Sequence, residues 1–330
     1  MDNETSAQQW RPVAAMDVLR VRADVYEHIR EFFKSRDVLE VDTPVVSSST
    51  TPDPHIDSFI TDYFPSASQT PGESRYLSTS PEFPMKRLLA AGSGSIYQLC
   101  HVFRQAEQGS RHNPEFTMLE WYRVEMSYLE LMREVAALVG RLLKQNLPIE
   151  VLTYQAAFMR YLEIDPLTVT TGELQRLAEK SGLVCGEQDA DDKDFYLDFF
   201  MSHQVQPQLG KGQLTFVHEY PASQCAYSKI SSSDPRVAQR FELFFQGVEL
   251  ANGYQELTDA QEQKYRFEQQ NKKRLLSGKS TVQWDENLVD ALFVGMPDCS
   301  GVALGVDRLI QLILNLKNIE DVLAFPFNRA

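Results

Sequence analysis

From Met16 onward the apolar positions Val18, Val21, Val25, Ile29 and Phe32 recur at three- and four-residue spacing, which puts them on one face of a helix ending near Arg36–Asp37. Val38, Leu39 and Val41 in the following VLEVDTP predict a short extended segment that stops at Pro44. Residues 47–75 are rich in Ser, Thr, Pro and Asp and read as a long loop. Strand-like runs follow at 76–79, 96–103 and 116–124, then at 214–220 and 240–251. Helical periodicity returns over 127–146 and 170–181, and GEQDADDKD (186–194) reads as an exposed acidic loop. After Gly301 the glycines run into Leu309, Ile310, Leu312, Ile313 and Leu316, the pattern of a buried helix. Strands that do not alternate regularly with helices predict an α+β domain, an antiparallel sheet flanked by helices. That single domain would span 16–330, after a loose, flexible tail over 1–15.

Composition narrows the class. The chain has 330 residues and a formal net charge of −14, and its 19 Phe, 13 Tyr and 3 Trp are too much apolar payload for a disordered protein. No uncharged apolar run reaches the ~18 residues of a membrane-spanning helix. The amino-terminal MDNETSAQQW lacks the basic and apolar regions of a signal peptide, so a cytoplasmic protein is expected. Cys100, Cys185, Cys225 and Cys299 are scattered without CxxC spacing, which predicts free thiols rather than a disulfide or zinc framework. The acidic balance argues against a long nucleic-acid footprint, because Lys and Arg must replace the phosphate counterions. SGKST (277–281) resembles the end of a phosphate loop, but Lys273 stands where the first glycine belongs, so it reads as a surface turn. The run Lys272, Lys273 and Arg274 reads as a solvated helix face in preference to a basic docking surface.

Three segments concentrate polar groups within apolar surroundings. In VFRQAEQGSRHNPEFTMLEWYR (102–123) the period of two puts Phe116, Met118, Glu120 and Tyr122 on one strand face. A carboxylate and a phenol among large apolar groups suit a pocket for a cation, and equally suit a satisfied core pair. In RFELFFQGVELANGYQELTD (240–259), a two-residue turn at Gln246–Gly247 sets Phe245 opposite Val248 and Phe244 opposite Glu249. Glu242 then shares a face with Glu249, and Asn252 and Glu256 continue the polar line past a Gly253 turn. Two carboxylates on one face repel unless a cation lies between them, and hard oxygen ligands suit Mg²⁺; an edge hairpin with solvated acids has the same signature. In CSGVALGVDRLIQLIL (299–314), Arg308 falls in the first turn of an apolar helix, where its planar fork can meet a phosphate or simply begin a structural helix.

Together these segments resemble the signature motifs of class II aminoacyl-tRNA synthetases, in the lysine branch. FR…RHNPEFTMLEWY is similar to motif 2, GVELANGYQELTD to the metal- and amino-acid-binding segment, and GVALGVDR to motif 3. TSPEFPMKRLL (79–89) resembles the amino-acid loop, and the first helix with VLEVDTP resembles dimer-forming motif 1. Only about fifteen residues precede motif 1, so no anticodon-binding domain and no stable tRNA binding are expected. This core-only arrangement resembles the elongation factor P ligases, which attach (R)-β-lysine to a lysine side chain of that translation factor.

The resemblance implies roles for individual residues. Arg104 and Arg308 would act catalytically on the α- and γ-phosphates of ATP, Phe116 would stack on adenine, and His112 and the backbone near Asn113 would support phosphates and base. Gln105, Ala106, Glu107, Leu250 and Gly305 would complete the nucleotide contacts, and Glu242 and Glu249 would hold Mg²⁺. Ser80, Pro81, Glu82, Tyr122, Asn252, Glu256 and Ala303 would bind the amino acid, β-lysine ahead of lysine. The implied partners are elongation factor P and a second copy of the chain, paired through 16–46, with no membrane.

Two positions depart from the pattern. Motif 2 reads Phe-Arg-x-Glu, but Ala106 occupies the glutamate position and Glu107 follows it, so either Glu107 substitutes through an altered turn or the nucleotide is held less firmly. Ala303 stands where lysyl-tRNA synthetases carry Gly, and its methyl would disfavour an α-amino group and favour the β-isomer. Two alternatives remain at this point: an enzyme that charges tRNA with lysine, and a catalytically silent regulatory paralogue.

Overall fold

The computed structural model of the chain describes residues 10–66, 72–182 and 191–330. In chain order the elements are α1 (Met16–Lys34), β1 (Leu39–Glu40), β2 (Val46–Ser47), β3 (Ile60–Tyr63), β4 (Glu73–Leu77), α2 (Glu82–Ala90), β5 (Ile96–Phe103) and β6 (Glu115–Val124). Next come α3 (Tyr128–Leu143), β7 (Ile149–Thr153), α4 (Tyr154–Leu162), α5 (Thr171–Lys180), α6 (Lys193–Phe200), β8 (Leu214–Pro221), β9 (Val237–Phe245) and β10 (Val248–Gln255). The last are α7 (Ala260–Leu276), α8 (Glu286–Val294), β11 (Cys299–Gly305) and α9 (Val306–Ile313). The described residues group into two compact units, one drawn from those up to Tyr122, Thr258–Pro297 and Leu304–Ala330, the other from those of Arg123–Leu257 and Asp298–Ala303.

In the first unit β5 pairs in parallel with β1 and antiparallel with β6, in a register that sets Gln98 opposite Glu120. The apolar face of α1 packs there: Val25, Ile29, Phe32 and Phe33 are buried, each contributing about 1.5–3 kcal/mol. Phe33 stacks on Tyr97 at 4.3 Å and meets Trp121 edge-on at 5.4 Å. The far end of the chain joins this unit through Asp307 of α9, which pairs with Arg22 at 2.6 Å and accepts from the Thr117 N–H at 2.8 Å.

The second unit carries strands in the order β11, β10, β9, β8, β7; β10 and β8 both pair antiparallel with β9, and β7 pairs in parallel with β8. Tyr154 and Phe158 of α4, Leu174 of α5 and Tyr196, Leu197 and Phe200 of α6 form a core with Val217, Tyr220 and Phe244. Helix α3 starts on a capping box, Ser127 with Glu130, which satisfies two of its orphan amides. The α+β class with a largely antiparallel sheet and helices packed on it is thus as expected. Among the described residues no helix is long and apolar enough to cross a membrane, and Cys100, Cys225 and Cys299 are in no disulfide.

The structure corrects several local readings. The expected loop over 47–75 takes part in a small sheet ordered β2–β4–β3, whose edge strand β3 is exposed along its whole length and so carries no apolar alternation. The run at 240–251 is two strands, as the hairpin reading with its Gln246–Gly247 turn expected. Gly253 is no turn but lies within β10 opposite Phe241, where an added Cβ would stand 2.5 Å from the Phe241 ring and 2.8 Å from the Gly301 carbonyl. Of the tail, residues 1–9 lie outside the described residues, and Val13 and Ala14 donate to the carbonyls of Ala324 and Leu323. Of the acidic loop, 186–190 lies outside them, as does Cys185, and α6 begins already at Lys193. Arg274 is not on a solvated face but buried.

Candidate active site

In the first unit β6 brings its polar face into a buried environment. Glu120 is 3% exposed, and its two carboxylate oxygens accept from the Tyr122 hydroxyl at 2.6 Å and the Ser80 hydroxyl at 2.7 Å. Ser80 also accepts from the Glu82 N–H at 3.0 Å, in the turn where Pro81 caps α2. One helical turn on, the buried Lys86 ammonium donates to the Glu82 carboxylate at 2.6 Å. Burial pushes the Glu120 carboxyl up to about 7 and the Glu82 charge pushes the same way, while the two hydroxyl bonds and the charge of Lys86 oppose them. Ser80, Pro81, Glu82 and Tyr122 are therefore gathered around a carboxylate that the resemblance did not assign. Its signal was present, since the period of two places Glu120 beside Tyr122, but the Ser80 contact spans forty positions and is invisible locally.

The turn after β5 carries the expected nucleotide residues. Arg104 donates to the Thr79 carbonyl at 3.3 Å and lies over the Phe116 ring at 5.2 Å. Ala106 adopts a left-handed conformation (φ 60°), and the Glu107 carboxylate comes to 3.6 Å from the Arg104 guanidinium. Asn113 is buried, donating to the Glu115 carbonyl at 2.6 Å and accepting from the Phe327 N–H at 3.1 Å. Arg308 donates to Nε2 of His112 and to the Arg111 carbonyl at 3.2 Å, and Gly305 starts α9. An Nε2 that accepts belongs to neutral imidazole.

In the second unit the β9–β10 hairpin has the expected register at its tip, Phe245 with Val248 and Phe244 with Glu249. A bulge at the buried Leu250 then shifts the ladder by one, so Glu242 faces Asn252 rather than Ala251. Arg240 uses this shift: it donates to the Glu242 carboxylate, to Oδ1 of Asn252 at 3.3 Å and to the Gln224 carbonyl at 2.7 Å, and lies over the Tyr220 ring at 4.3 Å. Burial pushes Glu242 up to about 7; Glu249's charge adds to this, while Arg240 and the Tyr220 hydroxyl oppose it. Sequence reasoning missed Arg240, whose reach to Asn252 exists only with the bulge. Glu256 is buried at the end of β10, its N–H on the Cys299 carbonyl at 3.0 Å, and Ala303 is half-buried on β11.

Two carboxylates on adjacent strands, close enough for one to raise the other, form an all-oxygen donor set. Among the described residues no group of three or more His, Cys, Asp or Glu could hold a metal ion. A pair fits Mg²⁺, which commonly takes one or two carboxylates and completes its shell with water and substrate phosphates.

Fold, motifs and comparison agree on the class. The chain belongs to the family described as tRNA synthetases class II (D, K and N), which matches residues 4–329. Within it, the chain is 48% identical to the elongation factor P--(R)-beta-lysine ligase of Salmonella typhi over 322 residues, 97% of this chain and 98% of that one. The proteins of that name from Salmonella paratyphi C (strain RKS4594) and Salmonella choleraesuis (strain SC-B67) match to the same extent, 48% over 97% of this chain and 98% of theirs.

Proposed function

We propose that this chain is an ATP-dependent ligase that activates (R)-β-lysine as an aminoacyl adenylate and passes it to a lysine side chain of elongation factor P. Near-full-length similarity to ligases of that name supports the reaction. The observation that supports the substrate class is Glu120, a buried carboxylate satisfied by two neutral hydroxyls and set beside a second carboxylate, Glu82. An ammonium entering such a site gains charge-assisted hydrogen bonds and relieves the repulsion between the two acids. A monoamino acid of the same length brings no such cation to this end.

Arg104 and Arg308 hold the phosphates of ATP, and His112, accepting from Arg308, orients its guanidinium. Phe116 offers a ring face to adenine. Mg²⁺, when bound at Glu242 and Glu249, supplies neutralisation of phosphate charge. The substrate carboxylate attacks the α-phosphorus in line and pyrophosphate leaves; a deprotonated lysine amine of elongation factor P then attacks the acyl carbon and AMP leaves. No side chain of the chain acts as nucleophile, so positioning and electrostatics carry the catalysis. Glu107 beside Arg104 supports an active enzyme over a silent paralogue. A two-fold dimer through 16–46 belongs to the proposal, supported by exposed Met16, Leu39, Val45 and Val46.

Incubation of elongation factor P with this protein, ATP, Mg²⁺ and each lysine isomer, followed by mass spectrometry, tests the reading. One β-lysyl adduct on a lysine side chain, with weaker labelling from lysine, is expected. An unmodified factor in the presence of folded protein overturns it.

A further inference from the structure

The SGKST turn and the basic run before it have no part in the site described above, yet both converge on one carboxylate. Helix α7 ends at Leu276, and Gly278, at φ +73°, reverses the chain so that the Lys279 N–H donates back to the Arg274 carbonyl at 2.8 Å. Only a residue tolerant of the left-handed region makes that reversal cheaply. The Lys279 ammonium then meets Oδ2 of Asp57 at 2.7 Å, and the buried Arg274 guanidinium meets Oδ1 at 2.9 Å. The same two cations bind carbonyls of the same segment, Lys279 that of Pro54 at 2.7 Å and Arg274 that of Asp53 at 3.0 Å. The segment 53–58 is thus fastened to the end of α7 by four charge-assisted bonds.

Its other side faces the turn after β5. The Gln105 N–H donates to the Asp57 carbonyl at 2.8 Å, and the Gln105 side-chain amide donates to the Ser58 carbonyl at 2.9 Å. Ser58 is itself buried and hydrogen-bonded to Thr50, whose N–H is held by the Gln283 carbonyl at 2.9 Å. Gln105 follows Arg104, whose N–H donates to the Pro114 carbonyl at 2.9 Å and whose guanidinium donates to the Thr79 carbonyl at 3.3 Å, and the left-handed Ala106 comes next.

We propose that Asp57 is a positioning residue: clamped between Arg274 and Lys279, it fixes the 53–58 segment as a template on which Gln105, and through it Arg104, is set for the nucleotide. That Arg104 meets ATP rests on the proposed function; the tether does not. Asp57 touches no reacting atom. Its effect is to reduce the number of conformations the nucleotide turn samples before ATP arrives.

The test is Asp57→Asn, which keeps the shape and removes the charge, read by hydrogen exchange and by ATP–pyrophosphate exchange. Exchange at the Gln105 amide should quicken about tenfold while the β5–β6 amides stay protected. The KM for ATP should rise about tenfold and that for β-lysine by less than about twofold. Lys279→Met, which leaves Arg274 in place, should move both readouts the same way by about threefold, and it decides the matter if Asp57→Asn does not fold. Unchanged exchange at Gln105 overturns the proposal, and so does an equal rise in both KM values, which marks a general loss of structure. Faster exchange at Gln105 in a protein whose wild type shows no ATP-dependent activity upholds the tether and overturns the proposed function instead.

Discussion

Glu120 and Glu242 are both buried glutamates whose carboxyl groups rise to about 7, and each stands near a second acid. They are neutralised differently. Glu120 accepts from two uncharged hydroxyls, and the nearest ammonium, Lys86, is hydrogen-bonded to Glu82. Glu242 is bonded directly to Arg240, which also holds Asn252 across the strand. The first arrangement leaves negative charge for a ligand that brings its own cation. The second holds its acid in place through a cation already present on the same strand, so the geometry of Glu242 is set within the protein. Repulsion between carboxylates is common to both, and the counter-ion sets the task.

This contrast can be broken most strongly at Arg240. Arg240→Met should lower stability by about 3–5 kcal/mol, because Glu242 is left buried without its cation. Denaturant unfolding checks this, and a stability equal to wild type would end the distinction between the two glutamates. Glu120→Gln should leave the fold nearly intact but lower kcat/KM for β-lysine about 100-fold in pyrophosphate exchange, with KM for ATP changed by less than about threefold. Equal effects on both substrates would remove Glu120 from the amino-acid site.

The titration of Glu120 sharpens the same point. Protonated Glu120 attracts no ammonium, so KM for β-lysine should rise about tenfold per pH unit below about 7, and Glu120→Gln should abolish that slope. Stability has its own sign. Unfolded Glu loses its proton near 4.5, so between 4.5 and about 7 the folded state holds protons at Glu120 and Glu242 that the unfolded chain lacks. Stability from these two groups therefore falls as pH rises through that window. Asp57 is opposite. Burial would raise its carboxyl, but bonds from Lys279 and Arg274 outweigh this and lower it, so its contribution is complete above 3.8 and is lost as pH falls through the folded value below that. The difference in melting temperature between wild type and Asp57→Asn should shrink accordingly in acid. The smallest effect is expected at Ala303, where Ala303→Gly should shift the preference from β-lysine towards lysine by about threefold; an unchanged isomer preference would mean that the methyl does not face the amino group.

Where the sequence carried periodicity, it carried structure. The buried face of α1, the limits of β5 and the Gln246–Gly247 turn follow from apolar spacing and turn chemistry. Of the β2–β4–β3 sheet only the end of β4 was legible, in the run at 76–79, because β3 is exposed along its length and β2 lies among Ser, Thr and Pro. Likewise the bulge at Leu250 has no local signature, and with it goes the reach of Arg240 to Asn252. At the amino-acid end the face bearing Glu120 and Tyr122 was legible from alternation. Its charge state was not, because that depends on Ser80 and Glu82 arriving from another segment.

In the proposed reaction Glu120, with Glu82 beside it, receives the distal ammonium of a dibasic substrate. It is tested most directly by pyrophosphate exchange with β-lysine and with 3-aminohexanoic acid, the same chain without the terminal amine, in wild type and in Glu120→Gln. The account predicts a preference for β-lysine of about 100-fold in wild type that collapses in the variant. Equal use of the two acids by wild type, or a preference that survives the substitution, would contradict it.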